Sequence, residues 1–248
     1  MSQAEPNPVL ATMAAHRSIR RYAAGELADE TVRRAVAAAQ MASTSSNYQA
    51  YSLLRVRDPS RRARLAALCG GQDHVARSGA FFVVAGDQRR HWIVAQVAGR
   101  PFEANLETFL VMAIDASLFA QNLALAFESL GCGMCFIGGL RLSLGEVDEL
   151  LALPPHVFPF FGLVVGDAAE DPDRRPRLPV EAVLLEERYP DDATIRAAIA
   201  RYDEAMGRYY AERGKPGHTW SGGIARAFAQ RRRTDLLDYY RSKGAVLE

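Results

Sequence analysis

The sequence predicts an α+β fold, and three features carry that reading. Short apolar runs, SLLRV (52–56), FFVVAG (81–86), CFIGGL (135–140) and FPFFGLVVG (158–166), read as strands. A helix that is apolar on nearly every side occupies residues 104–131, between the second and third runs, the pattern of a central core element. The resulting order, β, β, α, β, α, β with long helices, is not the order of a wound parallel sheet.

Taken in order, Asp29 is placed to cap a helix from about Glu30 to Met41, with Val32, Val36 and Ala39 on one face. STSS (43–46) breaks that helix before the first strand. Residues 87–103, DQRRHWIVAQVAGRPFE, mix charged and apolar groups and read as a surface excursion. Gly131 is placed to end the long helix at C′, and CFIGGL closes in a Gly-Gly kink. Ser143 and Glu146 have capping-box spacing and predict a short helix to about Leu151. DPDRRPRLP (171–179) is a proline-stiffened basic loop. Helices are expected over 192–213 and 221–232, separated by the polar turn GKPGHTW. No repeat, low-complexity linker or clean boundary is visible, so residues 1–248 read as a single domain.

The formal net charge is +1, so no global field recruits nucleic acid or an anionic membrane. Arg231–Arg233 lack the interleaved aromatics of a nucleic-acid binder. The N-terminal stretch MSQAEPNPVLATMAAH has no basic segment leading into an apolar one, so no signal peptide is expected. Glu107, Asp115 and Glu128 within the apolar helix argue against a membrane span. Three cysteines, Cys69, Cys132 and Cys135, make no disulfide framework, and a cytoplasmic protein is expected.

Several chemistries lack their parts. GCGMCF (131–136) has Phe136 where a dinucleotide fingerprint needs glycine, and it precedes a strand rather than a helix. Pro216 follows the lysine of RGKPG, so that stretch is no Walker loop. HExxH and GxSxG do not occur. Cys132 and Cys135 have redox spacing but follow a helix C-terminus, where nothing lowers a thiol pKa. Two buried thiols are expected, and no metal site.

HRSIRRY (16–22) concentrates charge in an otherwise neutral chain. Of 30 basic residues only Lys215 and Lys243 are lysine, so arginine also fills plain surface positions. Even so, guanidinium forks, a serine hydroxyl and a histidine are the groups a phosphate needs. A second set, Arg174, Arg175 and Arg177, lies far along the chain. Two such sets converging would hold a phosphomonoester, whereas two solvated basic segments would leave the same pattern. A phosphometabolite-binding module without catalysis also fits these residues, and spacing alone leaves all three readings open.

Several motifs occur together in a familiar order: HRSIRRY, STSSNYQ (43–49), GGQDHV (70–75), FIGGL (136–140) and RPRLP (175–179), followed by YDE…YY…RG (202–214) and TWS (219–221). In this the chain resembles the flavin-dependent nitroreductase superfamily, and within it the NADPH-preferring, oxygen-insensitive nitroreductase and flavin reductase branch. The resemblance implies a nitroreductase-like fold with a central, mostly antiparallel sheet surrounded by helices. It also implies an intertwined homodimer with FMN at its interface, and a C-terminal arm from about residue 236 that embraces the partner.

By the same resemblance, His16, Arg17, Ser18, Arg175 and Arg177 would hold the FMN phosphate; lysine is common in the family where Arg175 stands. Arg20 would face the N1–O2 edge of the ring, where two-electron reduction places negative charge that a fixed cation stabilises. Thr44, Ser45, Ser46 and Gln49 match the stretch that reaches the flavin across the dimer, although a helix-terminating loop would read alike. Gln72 suits the ribityl hydroxyls or the pyrimidine edge. Ile137, Gly138 and Gly139 would bring backbone N–H groups to the ring, although a turn at a strand end explains the glycines equally well. Arg213 and Arg233 match positions used for NADPH. The implied reaction is ping-pong transfer of two electrons from NADPH to a nitroaromatic or quinone, with release of reduced FMN as the alternative. The cofactor carries the chemistry, so no side-chain nucleophile is expected.

Overall fold

The structure is a computed structural model that describes residues 7–247. Residues 1–6, in the N-terminal stretch read above, and residue 248, at the tip of the expected arm, lie outside the described residues.

Asn7 caps α1 (Pro8–Ala15), its Oδ1 accepting from Val9 N and Leu10 N at 3.0 and 3.2 Å, with proline in the first turn. The first expected helix is α2 (Asp29–Ala39), but Asp29 is not its cap. Ala28 holds that position without a side-chain bond, while Asp29 sits in the first turn and pairs with Arg55 at 2.7 Å and with Arg57. The carboxylate satisfies two guanidinium groups rather than the helix N–H groups.

β1 (Tyr51–Val56) leads to α3 (Pro59–Leu68), capped by Asp58, and to α4 (Asp73–Arg77). β2 (Ala80–Asp87) follows, and the expected excursion contains a helix, α5 (Arg89–Val97). The core helix, α6 (Leu106–Ser129), opens with a capping box between Asn105 and Thr108. It ends as expected at Gly131, whose φ is +83°. There Gly131 N donates to Glu128 O and Cys132 N to Phe127 O, both at 3.0 Å, a Schellman closure.

β3 (Gly133–Ile137) runs into a 3₁₀ turn over Gly138–Leu142. α7 (Leu144–Leu151) forms, but Ser143 makes no side-chain cap, so the capping-box expectation fails although the helix is there. The remaining elements are β4 (Val157–Gly166), α8 (Asp192–Ala211), α9 (Trp220–Phe228) and α10 (Leu236–Ser242).

All strand pairs are antiparallel, in the order β1-β2-β4-β3. Both faces of this sheet are covered, which is why β2 reads as an unbroken apolar run. Phe82 and Val84 face α2 and α6 with Phe119, Leu123 and Phe127. Phe81 and Val83, on alternate positions, face Leu65, Val75, Leu140 and Val147 of the helices on the other side. Each large side chain buried in this way contributes roughly 1.5–3 kcal/mol. By length and composition α6 could cross a membrane, yet its Met112, Ala116, Phe119, Leu123 and Phe127 face are packed inside the protein.

The chain divides into two compact units. One takes the chain up to Pro172 and again from Arg233; the other is Asp173–Arg232. In the second unit Asp191 caps α8 through Thr194 N at 2.8 Å. Asp203 accepts from Ser221 N at 2.9 Å, and Tyr202 meets Trp220 edge-on, which ties α9 to α8.

In the first unit α10 packs into its own chain. The Tyr240 hydroxyl donates to Pro159 O at 3.0 Å, and its ring lies 5.6 Å from that of Phe109. Lys243 is buried, its Nζ bonded to both Asp148 oxygens at 2.9 and 3.0 Å and to Leu153 O at 2.6 Å. Removing one partner of so enclosed a pair leaves the other uncompensated. Lys243→Ala is therefore expected to lower the unfolding free energy by roughly 3 kcal/mol in urea denaturation. A loss below about 1 kcal/mol, the range of an exposed pair, would show that this residue does not anchor the C-terminal segment.

Candidate functional site

The segment 16–22 is laid along the free edge of β3. Ser18 forms a parallel bridge with Met134, and Ile19 N donates to Met134 O at 2.9 Å. Tyr22 bridges Ala168, which fastens the other end of the segment beyond β4. Glu170 clasps it from outside, accepting from Arg20 N at 2.6 Å, Arg21 N at 3.1 Å and Arg21 Nε at 3.0 Å. Burial alone would raise the Glu170 carboxyl; these donors outweigh it and hold the group below its ordinary range.

Most arginines of this region are satisfied locally. Arg17 pairs with Asp171 at 3.2 Å, although its buried Nε has no partner among the described residues. His16 Nδ1 lies 2.6 Å from Oε1 of Glu128, near the end of α6. Arg17 and Glu128 line a hollow of about 430 Å³ together with Glu170 and Asp171. Arg20 differs. Its side chain is exposed and makes no hydrogen bond or ion pair among the described residues.

The charge of Arg20 is nonetheless felt at Cys135 and His74. Burial first, and then that guanidinium, hold His74 below the usual imidazole range. His74 follows Gln72, whose Nε2 donates to Cys69 O at 2.7 Å. A Cβ on Gly139 would collide with both Gln72 Nε2 and the Cys69 carbonyl, so the turn after β3 approaches this backbone only because glycine stands there. Gly138 is less crowded: a Cβ would meet only Arg141 Nη2, at 3.5 Å. Gln72 and the Ile137–Gly139 turn thus meet in the first unit, and the charge of Arg20 reaches the flanking Cys135 and His74.

The second expected group, Thr44, Ser45, Ser46 and Gln49, sits on a separate loop. Ser46, Asn47 and Gln49 all have left-handed φ, at +45°, +58° and +52°, costing on the order of 1 kcal/mol each. Asp115 of α6 receives this loop, accepting from Ser45 N at 3.0 Å and from Ala50 N at 3.2 Å. Ser45, Ser46 and Ala50 line an open hollow of about 360 Å³ together with Gln88, His91, Phe102 and Thr108. Residues 87–103 therefore wall this hollow, a role that their mixed composition does not announce.

In the second unit, Arg177 Nη1 donates to Arg175 O at 3.0 Å, and the Tyr202 hydroxyl to Pro176 O at 2.8 Å, which stiffens the RPRLP turn. Arg213 is heavily engaged. It pairs with Asp173, donates to Tyr209 O at 2.8 Å and stacks 3.7 Å over the Tyr209 ring. Arg233, in the first unit, has a left-handed φ of +55° just before α10. All three cysteines are free and buried. Burial pushes the Cys69 thiol up to about 12 and raises Cys132 and Cys135 as well, in keeping with the expectation of inert thiols.

Comparison with known proteins gives this arrangement its context. Residues 13–167 match the nitroreductase family, and residues 175–248 match the C-terminal domain of the same family. An FMN reductase (NADPH) of Bacillus subtilis is 42% identical over 246 residues, spanning 96% of this chain and 98% of that protein. An oxygen-insensitive NADPH nitroreductase of Salmonella typhimurium is 38% identical over 241 residues, spanning 96% of this chain and 98% of the relative. Among solved structures, a nitroreductase from B. subtilis superposes with a TM-score of 0.93 at 42% identity, covering 96% of this chain and 98% of that one. The NADPH:FMN oxidoreductase of Vibrio harveyi gives 0.88 at 36%, covering 96% and 99%. The expected nitroreductase-like fold is the fold observed, and the chain belongs to the nitroreductase family.

Proposed function

We propose that this chain is an FMN-dependent oxidoreductase that passes two electrons from NADPH to a nitroaromatic or quinone acceptor. The observation that carries the reading is the exposed guanidinium of Arg20, without a hydrogen bond or ion pair among the described residues and felt at Cys135 and His74, in a segment whose other charged groups are locally matched. The donor set suits a flavin: a free cation, an amide, and a glycine turn with an open face at Gly138.

When bound, FMN supplies the redox chemistry, accepting electrons from NADPH and yielding them to the second substrate. His16, Arg17 and Ser18 are proposed to hold its phosphate, together with Arg175 and Arg177 from the second unit. Arg20 stabilises negative charge on the ring. Gln72, Ile137, Gly138 and Gly139 orient it, and Thr44, Ser45, Ser46 and Gln49 contact it from the partner subunit. Arg213 and Arg233 are the proposed NADPH contacts. The two units act as one domain, in a cytoplasmic homodimer that binds neither nucleic acid nor membrane.

An exposed apolar stripe on α6, Leu106, Leu110, Ile114 and Leu118 at every fourth position, supports the homodimer. The B. subtilis relative's name favours a second reading, release of reduced FMN as product. Flavin that stays bound through gel filtration supports the first reading, and turnover that rises with added free FMN supports the second.

Arg20→Ala is expected to retain FMN while slowing its reduction by NADPH about a hundredfold, the size of losing one preorganised electrostatic contact; stopped-flow bleaching of flavin absorbance measures this. An unchanged rate would remove Arg20 from its role. Ile114→Glu is expected to give a monomer in sedimentation velocity and to lose FMN with it. A dimeric, yellow variant would exclude α6 from the interface. Arg213→Ala is expected to raise KM for NADPH roughly tenfold, the cost of one charged hydrogen bond, and to leave KM for NADH unchanged. Equal effects on both donors would assign Arg213 to the fold.

A further inference from the structure

We propose that Asp115, acting with Arg90, is a positioning residue that fixes residues 45–51 in the shape in which they meet the flavin; this role rests on the reading of that segment given above. Asp115 is 1% exposed, in a helix face otherwise made of Met112, Ala116, Phe119 and Ala120. A carboxylate there costs burial that an apolar residue would avoid. Its two oxygens are spent on two backbone donors, one at each end of the loop: Ser45 N on Oδ1 and Ala50 N on Oδ2.

The carbonyls of the same stretch are held by a second set of groups, from α5. Arg90 Nη2 donates to Gln49 O at 3.1 Å and also to Tyr51 O, and His91 Nε2 lies 2.8 Å from Tyr48 O. Asp87, at the end of β2, keeps the Arg90 guanidinium in place from 3.7 Å. The loop is therefore gripped by an acceptor on its N–H side and by donors on its C=O side. Between those grips lie Ser46, Asn47 and Gln49, the left-handed residues that a free chain would relax.

The grip also sets what the loop presents. Ser45, Ser46 and Ala50 line one hollow, and Gln49 lines another of about 650 Å³ together with Arg90 and Phe119. Loss of either clamp lets the serine and glutamine groups leave their positions. Binding then carries the cost of ordering the loop again.

The test uses the full chain with Asp115→Ala, Asp115→Asn and Arg90→Met, titrated with FMN by fluorescence quenching. Visible circular dichroism of the bound flavin and amide exchange of the flavin-free protein accompany the titration. Asp115→Ala and Arg90→Met are each expected to raise the FMN Kd roughly tenfold or more, the effect of one charge-assisted hydrogen bond. They should also alter the flavin dichroism and speed exchange at Ser45 and Ala50. Asp115→Asn, which keeps the shape and one acceptor oxygen, is expected to fall between wild type and Asp115→Ala, and it serves if the alanine variant does not fold. A wild-type chain that binds no FMN would overturn the flavin reading and this role with it. Wild-type FMN binding that Asp115→Asn and Arg90→Met leave unchanged in affinity and dichroism would overturn the positioning role alone.

Discussion

The burial of α6 against an antiparallel sheet is the constraint from which the first unit takes its positions. At 24 residues this helix is roughly 36 Å long. Its apolar face cannot slide or rotate without uncovering Phe119, Leu123 and Phe127, so any polar group projecting from it is a fixed point. Three such points serve three different segments. The Thr108 carbonyl takes the Gln88 amide at 2.8 Å near one end, Asp115 takes the 45–50 loop in the middle, and Glu128 takes His16 near the other end. Segments far apart in sequence are located relative to one another because each is tied to the same rod.

The four strands, the core helix and its glycine stop were legible in the sequence, because they rest on apolar periodicity and on one residue with special backbone freedom. The surface helices were less so. α5 carries Arg89, Arg90 and His91 among Trp92, Ile93 and Val94, a mixture with no clean helical face, and its Ile93, Val94 and Val97 are exposed. α1 has the Asn-Pro start signal but buries nothing, so no periodic stripe advertises it. At Asp29 and Ser143 the residue type suited a cap, but the side chain had better partners or none. At Asp29 the deciding partners, Arg55 and Arg57, lie 26 and 28 residues away, where a local reading of the sequence does not look.

How the candidate site residues are engaged was harder to read, and the arginine-rich composition explains why. Guanidinium groups here close helix and strand edges as often as they wait for a ligand: Arg55 meets Asp29, Arg62 meets the Val75 carbonyl, and Arg21 meets Glu170. From sequence, Arg20 and Arg21 are indistinguishable neighbours. In three dimensions one is matched by a carboxylate and the other is not. Asp115 was visible only as an interruption of an apolar helix, because its partners are backbone N–H groups 65 and 70 residues away. A lone acid in an otherwise apolar helix is the signal that could have found it.

The three enclosed thiols bear on how the chain would withstand electrophiles. Quinones and the partly reduced products of nitroarenes are electrophiles, and a cysteine reacts with them as the attacking thiolate. Burial keeps Cys69, Cys132 and Cys135 protonated, although Cys132 also lines the hollow beside Arg17, so Cys69 and Cys135 are the less reachable of the three. The packing that gives these residues their place in the core thereby also sets how little thiolate they present.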